Sequence, residues 1–167
     1  TSSTAAGEVW YFFDQELDYP IHLINASSIG NVSLGNIDVL ILPDGDYRVL
    51  SEKESNVKSW VRNGGVLIAM ENAAAQLSGT DWGIRLKKDN EDEKPAGYDD
   101  IKRYENRERE SVSSNIPGAI YKVTLDDSHP LAFGYPSYYY DLKMNSTVFE
   151  FSRDAWNVGV IKKENQL

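Results

Sequence analysis

The sequence predicts an α/β protein with a doubly wound, mostly parallel, flavodoxin-like sheet that carries helices on both faces and an added antiparallel edge. Two apolar segments, 36–43 and 66–70, have the length of strands, and each is followed by a helical pattern after a short connection. Strands that alternate with helices in this way are typical of parallel βαβ units. Short apolar segments after residue 118 predict the antiparallel edge.

The chain opens with a predicted helix. Ser3 or Thr4 can cap its amino end by accepting a hydrogen bond from a backbone N–H of the first turn. Apolar side chains then recur at helical spacing, and Tyr11 and Phe12 widen the apolar face, so we expect this helix to be well buried. The recurring positions are Ala6, Val9, Trp10, Phe13 and Leu17. The segment IHLIN at 21–25 then predicts a short strand.

The segment NIDVLILP at 36–43 predicts the first strand of the parallel pair. Its continuous apolar run, from Val39 to Leu42, is typical of a strand that is covered on both faces. Ser51 and Glu54 form a capping-box pattern, which predicts that the next helix begins there. The predicted buried stripe of that helix is Val57, Trp60 and Val61.

A glycine pair connects this helix to the second strand. Gly64 and Gly65 can end the helix in a left-handed cap, and VLIAM at 66–70 predicts the strand that follows. ENAAAQL at 71–77 predicts a further helix that begins without an intervening loop. We therefore expect a strand, helix, strand and helix in which the strands are parallel.

The segment 87–114 is rich in charged residues and poor in aliphatic ones. It predicts an exposed insertion with a solvated helix near 103–114, while its alternating arginines and glutamates leave a docking surface or a lid as the alternative. After it, the segments GAIYKVTLD, SYYYDLK, TVFEF and NVGVI predict the short antiparallel strands.

Length and composition limit the classes of protein to which the chain can belong. With 167 residues, 41% of them hydrophobic, the chain can form one core, and we predict a single domain over 1–167 that is a piece of a longer protein. A net charge of -9 without a basic run argues against nucleic acid as a partner. The absence of cysteine excludes a disulfide framework, a thiolate metal site and a cysteine nucleophile. No apolar segment approaches the roughly 18 residues that span a bilayer.

The order of NIDVLILPDG, a capped helix, WVRNGGVLIAM and a small-residue helix resembles the core of the class I glutamine amidotransferase-like superfamily. In that family a glycine-containing strand end helps to form an oxyanion hole, and a later strand delivers a cysteine on a sharp turn before a helix. The resemblance places that cysteine on Met70 or on Glu71, and neither is a thiol. The family's histidine lacks a good match, since His129 is followed by Pro130 and Leu131 rather than by Pro and Glu.

The segments AAGEVWYFFDQELDYP and RERESVSSNIPGAIYKVTLDDSHPLAFGYPSYYYDLK resemble the amidotransferase-like domain at the C-terminal end of certain bacterial proteins related to zinc carboxypeptidases. The resemblance implies a neighbouring peptidase domain in the same chain, which would hold the zinc ligands, and it favours an exported protein. We expect neither a metal nor a cofactor in this chain, since it has only two histidines and no His-x-x-Glu pattern.

The candidate pocket lies where the two predicted parallel strands end, because open α/β sheets bind ligands at that edge. Each candidate also has a simpler interpretation: the residues after the first strand as a turn, the glutamate as a partner of the helix dipole, the asparagine as a cap and the histidine as a turn residue. The candidate residues are Asp44, Gly45, Asp46, Met70, Glu71, Asn72 and His129.

Three functions are consistent with this sequence. We expect a non-catalytic accessory domain of a zinc carboxypeptidase-like protein, without catalytic residues of its own, that acts in interdomain packing or substrate presentation. The alternative is a degenerate hydrolase or small-ligand-binding domain that uses the strand–helix turn at Met70–Asn72. A third hypothesis is a sugar-binding module built on Tyr138, Tyr139 and Tyr140, whose simpler interpretation is a packed sheet edge.

Overall fold

The computed structural model of the chain describes residues 2–52, 54–87 and 118–162. The chain divides into two compact units, Thr1–Arg85 and Leu86–Leu167. The described residues are mixed α/β, with a small parallel sheet in the first unit and a separate antiparallel sheet in the second. The α/β class is confirmed in this form, but the described antiparallel strands form a sheet of their own and not the predicted edge of the parallel sheet. The doubly wound flavodoxin-like arrangement and the single domain over 1–167 stay predictions. The predicted insertion at 87–114 lies outside the described residues apart from Lys87.

The first helix, α1, spans Ser3–Tyr11 and continues directly as a π-helix over Phe12–Glu16. Ser2 caps it, one residue before the predicted position, because its hydroxyl accepts a hydrogen bond from the Ala5 N–H at 3.3 Å. The predicted burial of this helix is wrong, since neither segment has a buried residue. Apolar side chains at helical spacing become buried only where another element packs on them, and the main packing partner of α1 is the π-helix that continues it.

Residues 21–25 do not form the predicted strand. Asn25 instead caps a 3-10 helix over Ala26–Asn31, and its side-chain oxygen accepts a hydrogen bond from the Ser27 N–H at 3.0 Å. An asparagine side chain that bonds to the local backbone offers the chain an alternative to a sheet ladder. Leu23, which a half-buried strand would cover, is 72% exposed.

Strands β1, Val39–Leu42, and β2, Val66–Ala69, pair in parallel as predicted, with Val39 beside Val66. Leu40 and Leu42 are buried in the core of the first unit. On the other face Val39 and Val66 remain 47% and 51% exposed. The prediction that β1 is covered on both faces is therefore wrong for the part of the chain that the structure describes.

The predicted capping box is also displaced. Ser51 ends α2, a single turn over Arg48–Ser51, and Ser55 caps α3, which spans Asn56–Arg62. The Ser55 hydroxyl accepts a hydrogen bond from the Lys58 N–H at 3.1 Å. Glu54 lies outside the helix, with its carboxylate 3.6 Å from the Arg62 guanidinium. The later start still buries Val57 completely, while Trp60 and Val61 are half-buried.

The helix α4, Asn72–Leu77, follows β2 as predicted and completes the core of the first unit. Its buried residues, Ala73 and Leu77, join a cluster that spans the 3-10 helix, β1, α2 and α3. The fully buried side chains in that cluster include Leu42, Leu50 and Val57, at 1% exposed or less.

The glycine pair between α3 and β2 has two different structural roles. Gly64 has a φ of +102°, so the predicted left-handed helix end is confirmed. Gly65 lies against Trp60, and a Cβ at this position would overlap the indole ring. The indole Nε1–H donates a hydrogen bond to the Ile37 carbonyl at 2.9 Å, which holds the ring in this place. The second glycine is therefore required by the position of Trp60 rather than by a backbone conformation.

In the second unit, β3, Ile120–Leu125, is the central strand of an antiparallel sheet. Its neighbours are β4, Tyr138–Leu142, and β5, Gly159–Ile161. The predicted strand TVFEF is reduced to an isolated bridge between Phe149 and Leu86. Side-chain bonds of Asn145 and Asn157 to nearby backbone N–H groups make local turns on both sides of this segment, in competition with strand pairing.

We predict that Gly65→Ala lowers the free energy of unfolding by about 2 kcal/mol, because the added methyl group forces the Trp60 ring out of its packed position. Chemical denaturation measures the change. Gly35→Ala is the matched control, since its Cβ would meet only the Ser33 hydroxyl at 3.9 Å. Equal stability of the two variants would contradict the close packing of Gly65 against Trp60.

Candidate functional site

The parallel pairing brings the segments after β1 and β2 side by side. The Met70 N–H donates a hydrogen bond to the Leu42 carbonyl at 3.0 Å, which extends the pairing by one step beyond β2. Pro43 to Asp46 therefore lies next to the turn that begins at Met70. The predicted meeting of these two segments at one edge of the sheet is observed.

The turn between β2 and α4 is strained at one residue. Glu71 has φ +49° and ψ −117°, and the Ala73 N–H donates to the Met70 carbonyl at 3.0 Å. These dihedral angles belong to the first central position of a type II′ turn, which glycine normally occupies. For an L-residue such a conformation costs on the order of 1–3 kcal/mol. The strained residue of the junction is thus Glu71 and not Met70.

Hydrogen bonds from α4 tie the two segments together. The Asn72 backbone N–H donates to an Asp44 carboxylate oxygen at 3.3 Å, and its side-chain amide donates to the Gly45 carbonyl at 3.1 Å. Gln76 donates to the same carbonyl at 2.7 Å and accepts from the Tyr47 N–H at 2.9 Å. Asp44, Asn72 and Gln76 are therefore engaged in holding the turn after β1.

Gln76 is the residue of this junction that the sequence analysis missed. It lies one helical turn after Asn72, so both side chains project from the same face of α4 toward the Gly45 carbonyl. The spacing of two amides by four residues was the available signal. Gln76 contributes both a donor and an acceptor, and it links the turn after β1 to α4.

The three carboxylates of the junction differ in their surroundings. Asp44 is half-buried and bonded to Asn72, whereas Asp46 and Glu71 are exposed. Met70 is 42% exposed. Within residues 2–52, 54–87 and 118–162, no group of three or more His, Cys, Asp or Glu side chains is arranged to hold a metal ion.

His129 belongs to the second unit, where it caps a 3-10 helix over Pro130–Ala132. Its Nδ1 accepts a hydrogen bond from the Leu131 N–H at 3.2 Å, and its ring centroid lies 6.0 Å from that of Trp156. In the same turn, the hydroxyl and backbone N–H of Ser128 donate to Asp126 and lower the pKa of that carboxyl. The predicted role of His129 as a turn residue is confirmed, and the other six candidates lie in the first unit.

The tyrosines of β4 lie on alternate faces of an edge strand. Tyr138 and Tyr140 share one face, with ring centroids 5.9 Å apart, and the Lys122 ammonium lies 4.1 Å from the Tyr138 ring centroid. Tyr139 points to the other face, where partial burial raises its pKa. The three tyrosines lie on an edge strand, but that strand belongs to the separate antiparallel sheet, and they are 40–61% exposed, so the expected packed edge is wrong. They also do not form one stacking surface.

A second concave surface lies at the opposite ends of the parallel strands. It is a cleft of about 640 Å³ along one side of α3, and the sequence analysis did not identify it. Its lining includes Asp38, Asn56, Ser59, Trp60, Asn63 and Gly65. Four of these residues belong to α3 and its C-terminal cap: Asn56, Ser59, Trp60 and Asn63. Their i, i+3, i+4 and i+7 spacing places them on one side of the helix.

Comparison of the chain with protein-family models, with curated proteins and with solved structures gave no match. The amidotransferase-like resemblance therefore stays a prediction from the sequence, and the geometry of the site carries the functional proposals below. Among the described residues, no helix has both the length and the apolar character needed to cross a membrane.

We predict that Glu71→Gly is more stable than Glu71→Ala by about 1 kcal/mol in the free energy of unfolding. The angles of Glu71 are the mirror image of an ordinary extended conformation, so glycine adopts them without the steric cost that alanine retains. Because both variants lose the same carboxylate, the difference in their free energies of unfolding reports the cost of the backbone conformation at position 71. Chemical denaturation of the pair measures it, and a more stable alanine variant would show that the turn is not strained.

Proposed function

We propose that this chain is a non-catalytic accessory domain with an amidotransferase-like, doubly wound flavodoxin-like fold, attached to a zinc carboxypeptidase-like protein. It acts in interdomain packing or substrate presentation. The support comes from the chemistry of the strand–helix junction and from the exposed face of the parallel sheet. The identity of the neighbouring domain rests on the sequence resemblance alone.

The junction supports a non-catalytic role. Amide-transfer chemistry needs a thiolate nucleophile and a histidine to move the proton. The strained position holds Glu71, and the chain contains no cysteine. The side chains of Asp44, Asn72 and Gln76 at the same edge are already bonded to backbone groups. The Asp44 carboxylate accepts from the Asn72 N–H, and the amides of Asn72 and Gln76 donate to the Gly45 carbonyl. They serve to stabilise the turn.

The observation that carries the packing role is the exposed face of the β1–β2 sheet. Val39, Val66 and Ile68 alternate with the core residues, and each is 44–51% exposed. Met70 continues this face at 42% exposed. Parallel sheets in α/β proteins are covered on both faces because βαβ crossovers place helices there. An apolar face of this kind fits a neighbouring domain that covers it.

The alternative is a degenerate hydrolase or a small-ligand-binding domain that uses Met70–Asn72. The strain at Glu71 favours it, because strained residues cluster at active sites and ligand-binding turns. In this case Glu71 acts through its exposed carboxylate, since no thiol is present.

A thiol introduced at the strained position distinguishes the two functions. The chain has no native cysteine, so Glu71→Cys carries a single thiol whose alkylation by iodoacetamide can be followed against pH. For a non-catalytic junction we predict a pKa within about one unit of the ordinary value near 8.5. Met70→Cys, one residue earlier, is the matched control. A thiol pKa lowered by several units in Glu71→Cys alone would show that the turn stabilises a negative charge at position 71, as the hydrolase alternative requires for the Glu71 carboxylate.

The packing role is tested by changing the exposed face while keeping its shape. We predict that the double variant Val66→Thr and Ile68→Thr, which retains β-branched side chains, changes the stability of this chain alone by no more than about 2 kcal/mol. In the intact parent protein, calorimetry is expected to show one shared unfolding transition that separates into two in the variant. If the variant of the parent protein still unfolds in one shared transition, this face does not take part in the interdomain contact.

A further inference from the structure

The cleft beside α3 is independent of the strand–helix junction. The junction lies at the carboxyl ends of β1 and β2, whereas Asp38, Val39, Gly65 and Val66 place the cleft at their amino ends. Its volume of about 640 Å³ is within the range that holds a small organic molecule. The chemistry of its lining therefore indicates what such a molecule would be.

Trp60 provides a fixed aromatic wall. Its indole Nε1–H is bonded to the Ile37 carbonyl at 2.9 Å, and its ring packs against Gly65, so its orientation is set from two sides. The side chain is half-buried and part of it lines the cleft. An indole ring is the side chain that attracts cations most strongly through its π-electrons.

Asp38 is the one charged side chain among the residues that line the cleft. Its backbone is fixed, since its carbonyl accepts a hydrogen bond from the Val66 N–H at 3.0 Å. Its carboxylate makes no ion pair or side-chain hydrogen bond with any residue that the structure describes. A carboxylate in this position is available to a positively charged ligand.

The other polar groups of the cleft agree with a positive ligand. Helix α3 ends at Arg62, so its last carbonyl groups, the negative end of the helix dipole, lie close to Asn63 and Gly64 in the lining. The Asn56 amide donates to the carbonyls of Ile29 and Val32, which holds the start of the segment 32–35 that lines one wall of the cleft. The lining thus combines one free carboxylate, one aromatic wall and no positive side chain.

We propose that this cleft binds a small organic cation, with its ammonium or guanidinium group between the Asp38 carboxylate and the Trp60 indole. The carboxylate supplies charge and the indole supplies an apolar and π-electron surface, which is the pairing that cationic organic groups require. Asn63 and Ser59, both exposed in the lining, offer hydrogen bonds to the rest of the ligand.

The test is a titration of the whole chain with choline and with agmatine, followed by NMR at the indole N–H signals. The chain has four tryptophans, and Trp60→Phe assigns the signal of Trp60. We expect saturable shifts of that signal for both cations, and Asp38→Asn should weaken binding about tenfold or more. Glu16→Gln is the matched control, since it makes the same charge change at an exposed position of the π-helix.

A neutral probe separates charge recognition from apolar filling. 3,3-Dimethylbutan-1-ol has the shape of choline without its charge, and we expect it to bind at least tenfold more weakly. Equal affinity for the neutral probe, equal affinity of Asp38→Asn and the unchanged chain, or the lack of saturable binding by either cation would overturn the proposal. None of these results depends on the junction at Glu71, so the non-catalytic role is tested separately. The cleft shares Val39 and Val66 with the exposed sheet face, so the titration uses this chain without a neighbouring domain.

Discussion

The parallel pairing of β1 with β2 is the constraint on which the rest of the first unit depends. Parallel strands need a crossover connection, and α3 provides it, with Val57 completely buried against the core. The pairing also separates two kinds of surface, because all carboxyl ends lie at one edge and all amino ends at the other. The strained junction at Glu71 occupies the first edge and the cleft beside Trp60 occupies the second.

At the carboxyl edge, local strain is offset by hydrogen bonds from outside the turn. Glu71 keeps an unfavourable backbone conformation, while Asn72 and Gln76 bond to Gly45 and fix the adjacent segment. In many α/β enzymes such strain presents a nucleophile on a sharp turn. A carboxylate at this position, with its neighbours engaged in backbone bonds, agrees with the proposal of a scaffold without amide-transfer chemistry.

At the amino edge, the glycine pair links the backbone to the cleft. Gly64 allows the chain to leave α3 with a positive φ, and Gly65 leaves room for the Trp60 ring. From the sequence alone, this pair predicts only a helix end and contributes to a family resemblance. The structure adds a packing reason, because the second glycine sets the position of the aromatic wall that we propose for cation binding.

The sequence by itself determined the elements whose signals are local and strong. Apolar runs of strand length and helical spacing of apolar residues, bounded by glycine or asparagine, are enough to predict four elements. These are the strands at 39–42, 66–69 and 120–125 and the helix after Glu71. It also determined that the junction would bring Asp44, Gly45 and Asn72 together, since parallel strands share an edge. Two departures follow from competition between nearby side chains that can cap a helix. Ser55 rather than Ser51 caps α3, and Asn25 caps a 3-10 helix where the sequence predicts a strand at 21–25.

Only the tertiary structure decided which side chains are covered and which are strained. Whether the first helix is buried depends on which element packs on it, and whether Val66 is covered depends on what packs on the sheet. The positive φ of Glu71 follows from joining β2 directly to α4 while Gln76 holds the neighbouring turn. The meeting of Asp38 with Trp60 in one cleft depends on contacts between residues far apart in the chain, which local periodicity does not encode.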